Sequence, residues 1–194
     1  MAWVAPTQVN LKDGRVATIR SAGPEDAAGL ARLALQIAEE RAYMVAEPDE
    51  AATAEQLLQR VAECAGHASK LMLVAVDGEG RVVGELECAA GSRRRMAHRA
   101  RIGLSVDRRW RAVGVGRALM ERLLAWAEAH PQIERIVLGV FAENAPAIAL
   151  YERLGFVVEG RRVREFKLGP GLYADDLIMA KFLKQKPGSR AGAR

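Results

Sequence analysis

Leu104, Ser105 and Val106 close an apolar, strand-like segment, and Ala112-Val113-Gly114-Val115-Gly116-Arg117 carries the chain from it into a helical pattern. A strand that passes through a glycine-bearing loop into a helix presents backbone N–H groups with no intrahelical partner, at the positive end of the helix dipole. Such an end can bind phosphate. Glycine at 114 and 116 would let the main chain approach an anion with no Cβ between. Plain turn geometry uses the same Gly-x-Gly, so the spacing leaves both readings open. Two nucleotide sites are excluded by residue type. A P-loop needs Lys-Ser/Thr after its last glycine, and Arg117-Ala118 stands there. A dinucleotide fingerprint needs a third glycine where the chain has Leu119, and it belongs in an opening βαβ unit.

A second segment runs from Asn144 through Pro146, Tyr151 and Gly155 to Phe156. Asn144 reads as a helix N-cap, and Pro146 falls in the first turn, where its missing N–H costs nothing. Gly155 reads as the residue past the helix end, with Phe156 folding back on the last turn. Tyr151, in that last turn, is either a packing residue or a phenol available for proton chemistry.

Charge is the third signal. The chain of 194 residues carries a net charge of +5, but the excess is local. Arg93, Arg94, Arg95, Arg99, Arg101, Arg108, Arg109, Arg111 and Arg117 fall in one stretch with Asp107 as its acid. Such a concentration meets polyanions, either a nucleic acid or a phosphorylated cofactor. Trp110 is the one aromatic in that stretch, short of the several interleaved aromatics of a single-strand stacking platform, which argues against nucleic acid. Arg93 to Arg95 fall at a turn between strands, where a charge run is either a solvated loop or a docking surface for an acidic partner.

The elements that must position these residues follow from periodicity. Half of the residues are apolar and 5% aromatic, enough for one core built of Leu, Val, Ile and Ala. Residues 8–11 and 16–20 predict a hairpin about Asp13-Gly14. Pro24 and two acids start a helix that carries Leu30, Leu33 and Ile37 at helical spacing; a second helix spans 53–64, with Thr53 and Gln56 as a capping box. Strands follow at 71–76, 81–89 and 96–106. Then come a helix at 116–129, a strand at 133–140, a helix at 144–154, and strands at 156–166 and 173–182. This order predicts one mixed α/β domain over 1–185, with a basic, disordered tail at 186–194. Cys64 and Cys88 are 24 positions apart and make no metal-ligand spacing, so no metal and two buried reduced thiols are expected. No apolar run is long enough to cross a bilayer and no signal peptide is visible, which predicts a cytoplasmic protein with no membrane partner.

Together the two motifs resemble those of the GNAT acetyltransferases. Arg111 to Gly116 matches the family's Arg/Gln-x-x-Gly-x-Gly/Ala loop, and Asn144 to Phe156 its Asn…Leu-Tyr-x-x-x-Gly-Phe segment. The element order resembles the family over 16–182, and the closing segment resembles the bacterial branch that acetylates amino acids, antibiotics or protein N-termini. The resemblance implies a mostly antiparallel central sheet flanked by helices, with acetyl-coenzyme A as cosubstrate. Amides of Arg111, Ala112, Val113, Gly114, Val115, Gly116, Arg117 and Ala118 would hold the pyrophosphate. Leu104, Ser105 and Val106 would pair with the pantetheine arm. Arg109, Arg111 and Arg117 would lie near the phosphates, Asn144 would touch the cofactor, and Tyr151 would protonate the departing thiolate. The acceptor would be a small-molecule amine or a protein N-terminus, and family members often form homodimers.

An amine with a pKa of about 8 to 10.4 must lose a proton before attack. Several family members keep a glutamate early in the strand before the loop, but residues 96–101 here contain no acid. His98, Glu85 and Glu87 are the candidate bases, the two glutamates sharing one strand face; a relay through water is the other route. The missing acid also keeps open a non-catalytic acyl-coenzyme A sensor.

Overall fold

The computed structural model describes residues 3–183. Eight strands form one sheet in the order β1-β2-β3-β4-β5-β6-β8-β7. They are β1 (Thr7–Asn10), β2 (Val16–Ser21), β3 (Lys70–Val76), β4 (Val82–Ala90), β5 (Arg99–Val106), β6 (Arg135–Phe141), β7 (Val157–Gly169) and β8 (Leu172–Phe182). Four α-helices cover it: α1 (Ala27–Glu39), α2 (Ala54–Gly66), α3 (Val115–Ala129) and α4 (Ala145–Arg153). The predicted elements are therefore present, with boundaries moved by a few residues. Thr53 caps α2 with the expected reciprocal bonds to Gln56. The tail predicted from residue 186 lies outside the described residues.

One boundary moves for an identifiable reason. The strand expected from Met96 begins at Arg99, because Arg94–Met96 coils into a 3-10 turn. Gly91 N–H closes that loop on Arg99 C=O, and His98 C=O takes N–H groups from Glu134 and Arg135 at the start of β6.

The sheet buries both faces. Leu71, Leu73, Leu86, Cys88, Ala100 and Ile136 pack with Leu119, Met120 and Leu123 of α3. On the other face Met72, Val74, Val76 and Val82 pack with Leu30, Leu33 and Ile37 of α1 and Leu57 and Val61 of α2. Residues 71–76 thus read as an unbroken apolar run because β3 is covered on both sides.

Every strand pair is antiparallel except β5 with β6, and α3 supplies the crossover that a parallel pair needs. That pairing holds only at Arg99–Arg135, Ala100–Ile136 and Arg101–Val137. Beyond it, β5 keeps β4 on one side and leaves its other edge open from Ile102 to Val106. Asp107 N–H donates to Val83 C=O of β4. By alternation, the amides and carbonyls of Leu104 and Val106 face the open edge, while those of Ser105 face β4.

Candidate functional site

The loop between β5 and α3 sits at the mouth of that open edge. Asp107, 1% exposed, starts it by accepting N–H of Arg109 at 2.8 Å. Burial pushes this carboxyl up, but the Arg109 amide, the Arg109 guanidinium and Gln36 outweigh it and hold the group below its usual value. The hairpin turn braces the loop from outside. Lys12 N–H donates to Val113 C=O, Arg15 donates to Arg109 C=O at 2.8 Å, and the Arg15 guanidinium lies 3.9 Å from the centre of the Trp110 ring.

Ala112 (φ 61°) and Gly114 (φ 117°) both adopt left-handed backbone, which turns successive amides toward one side as an anion-binding nest. The N–H groups of residues 112–117 donate to no backbone group of another described residue, and the helix ladder begins with Ala118 N–H to Gly114 C=O at 3.0 Å. The run of amides without a backbone partner is therefore narrower than the loop singled out in the sequence: the Ala118 proton closes the first helical turn, and the Arg111 amide leans back toward Arg108 C=O at 3.5 Å. Gly114 takes the left-handed position as N-cap. At Gly116 a Cβ would point inward, in ordinary van der Waals contact 3.4 Å from Leu150 and 3.6 Å from Leu104.

The arginines expected near the phosphates are each already paired. Arg109 pairs with Asp107 and Arg117 with Glu121. Arg111 forms a fork to Glu40, past the end of α1, at 2.6 and 2.8 Å, and its Nε donates to Val106 C=O at 2.9 Å. Glu40 escaped sequence reasoning because it lies 71 positions away.

Asn144 caps α4 through its side-chain oxygen, which accepts Ala147 N–H at 3.3 Å, so its amide NH2 is the group left to donate outward. Gly155 (φ 84°) and Phe156 end α4 as expected, with Phe156 N–H on Tyr151 C=O. Tyr151 is 7% exposed and packs against Phe156, and burial pushes its phenol up to about 12.

The three candidate bases separate. His98 lies in the exposed turn before β5, seven residues or about 23 Å of strand from Ser105, the partner of Glu85. The structure does not bring it to the cradle. Glu87 is ion-paired with Arg60 of α2. Glu85 faces the α1–α2 side of the sheet, across from Ser105. Burial pushes its carboxyl up to about 7, against the pull of Arg60 and with a smaller push from Glu87. Among the described residues no cluster of His, Cys, Asp and Glu could hold a metal, and no helix is long and apolar enough to cross a membrane.

With this geometry in place, comparison with known proteins is specific. Residues 32–156 match the model of the acetyltransferase (GNAT) family. The L-amino acid N-acetyltransferase AaaT of Escherichia coli K12 is 38% identical over 112 residues, covering 58% of this chain and 67% of that protein. A GNAT-family acetyltransferase of Streptococcus pneumoniae superposes with a TM-score of 0.80 at 27% identity, over 86% of this chain and 99% of its own. YncA of Salmonella typhimurium, solved with its cofactor acetyl-coenzyme A, shares the fold at 21% identity with a TM-score of 0.79, over 91% of this chain and 99% of its own.

Proposed function

The chain belongs to the acetyltransferase (GNAT) family, and from that premise we propose how its residues divide the work of moving an acetyl group from acetyl-coenzyme A to a primary amine. The observation that carries the proposal is the open edge of β5 lying beside the unpaired amides of residues 112–117. An extended thioester arm fits an unpaired strand edge as an added strand would, and a pyrophosphate fits a nest at a helix N-terminus. The residues present thus suit acetyl-coenzyme A, which supplies the activated thioester carbonyl.

Ala112, Val113, Gly114, Val115, Gly116 and Arg117 would hold the pyrophosphate. Leu104 and Val106 would present their open-edge amides and carbonyls to the arm, and Asn144 would donate from its NH2. For Val106 to engage, its carbonyl must be shared with Arg111 or released by it. Glu85 would take the proton of the acceptor ammonium. A carboxyl near 7 is matched to that task at neutral pH, whereas one at its ordinary value would be too weak a base. Tyr151 would donate to the departing sulfur. With its phenol near 12 it stays protonated throughout the working range, so the donor is always loaded. Holding amine and thioester in line makes a covalent enzyme intermediate unnecessary.

The test is thiol release from acetyl-coenzyme A across a panel of primary amines, beside calorimetry of acetyl-coenzyme A binding. Turnover with one amine class, lost in Glu85→Gln, is the expected result. Binding without release for any amine would leave only a sensor, and no binding would remove the cradle.

A further inference from the structure

On the α1–α2 face, β5 presents Arg99, Arg101, Gly103 and Ser105 in alternation, and β4 presents Glu85, Glu87 and Ala89 beside them. Where β5 and β6 part, this face opens into a cleft of about 370 Å³ lined by Arg99, Arg101, Arg135, Gly139, Arg162 and Ile178, among others. Its charge is not balanced. Arg135 pairs with Glu159, and Arg162 pairs with Glu165 and lies 3.4 Å from Asp176. Arg99 and Arg101 form none of the salt bridges among the described residues, although Arg101 is near enough to Asp176 to pull its carboxyl down against burial. Between Arg101 and Ser105 stands Gly103, where a Cβ would meet nothing within 4 Å. The β5 side of the floor between the arginine and the Glu85 end is therefore open, with Glu87, held by Arg60, beside Gly103 on β4, and alternate residues along it are about 6.6 Å apart.

We propose that Arg101, with Arg99 beside it, is the subsite that holds the carboxylate of a small amino-acid acceptor, whose amine then lies over Gly103 toward Glu85. This rests on the acetyltransferase reading and narrows it. A guanidinium presents a planar fork that matches a carboxylate. A polyamine would bring further cations into a cleft already lined by Arg99, Arg101, Arg135 and Arg162. A protein N-terminus has a peptide bond where the free amino acid has its charge, and leaves the fork unmatched.

The experiment compares each of several L-amino acids with its own primary amide, with spermidine and an N-terminal pentapeptide alongside, by thiol release from acetyl-coenzyme A. The amide's amine is less basic, so more of it is unprotonated at neutral pH, and a preference for the acid is not an ionisation effect. The expected result is an acid favoured at least about ten-fold in kcat/KM, the size of one lost charge-assisted bond at a half-open site. Arg101→Gln raises KM for the acid and brings the ratio near one, Arg101→Lys restores part of it, and Arg99→Gln shifts it in the same direction. Calorimetry with the N-acetylated amino acid gives binding to the wild type and none to Arg101→Gln. Equal use of acid and amide by the wild type, or a preference kept by both glutamine variants, overturns the subsite while leaving acetyl transfer intact. No release with any amine, in a protein that binds acetyl-coenzyme A, overturns the acetyltransferase reading and the subsite with it.

Discussion

At the scale of single residues, burial separates groups of the same chemical type. Glu85 and Glu87 are the same residue type two positions apart on one face, but Glu87 is tied to Arg60 while burial raises Glu85 to about 7. The rate kcat/KM should therefore rise with pH through about 7, and Glu85→Gln should both lower it and flatten that limb in a pH–rate profile. A stability consequence has a definite sign. A carboxyl that binds its proton more tightly when folded contributes stability that is fully present below its unfolded value and lost as pH rises through the folded one. Glu85→Gln should thus gain in Tm relative to the wild type as pH climbs from about 4.5 to above 7; a difference that does not grow with pH would mean the carboxyl is not buried in the charged state. For Tyr151→Phe, kcat should fall about a hundred-fold, within the range of a lost general acid. Calorimetry should show acetyl-coenzyme A bound as before, because the ring and its contact with Phe156 remain. Turnover equal to the wild type would take the phenol out of the mechanism.

At the scale of elements, the cradle is held by its neighbours more than by its own sequence. The β1–β2 turn bonds Val113 and stacks on Trp110, and Glu40 grips Arg111. Gly114 is the position where its backbone is most demanding. Any side chain at φ 117° costs about 1–3 kcal/mol of strain, and Gly114→Asp adds a negative charge against a pyrophosphate. Acetyl-coenzyme A binding should be abolished in that variant, while Gly114→Ala should lose stability by about the strain alone; undiminished affinity in Gly114→Asp, measured by calorimetry, would place the phosphates elsewhere. The same logic explains the helix boundaries. Thr53–Gln56, Asn144–Pro146 and Gly155 are local chemistry, so α2 and α4 begin and end where their caps say. The start of β5 is not local, since it depends on β6 capturing His98 C=O.

At the scale of the whole molecule, the sheet separates two cores with different duties. Leu123 of α3, fully buried, belongs to the core on the side of the proposed cradle, and Leu57 of α2 to the one on the side of the proposed acceptor cleft. Truncating either to alanine should cost about 2–5 kcal/mol in denaturant unfolding. Leu57→Ala should in addition raise KM for the amine more than for acetyl-coenzyme A; equal effects on both would mean that α2 does not wall the acceptor side. The sequence by itself determined the alternation and helical periodicity, the caps, and the pairing of the Arg111–Gly116 loop with the Asn144–Phe156 segment. The periodicities and caps, and each motif taken by itself, depend on residues within one or two turns of each other, which is where spacing carries information. Tertiary structure alone decided that Glu40 answers Arg111, that Arg60 answers Glu87, and that Glu85 lies across from Ser105. It also decided that Glu85 is the carboxyl that burial pushes up. Those outcomes turn on which distant strand or helix arrives beside a given side chain, and on how much water it leaves there. Long-range partners and burial set charge and pKa, and neither can be read from neighbours in the chain.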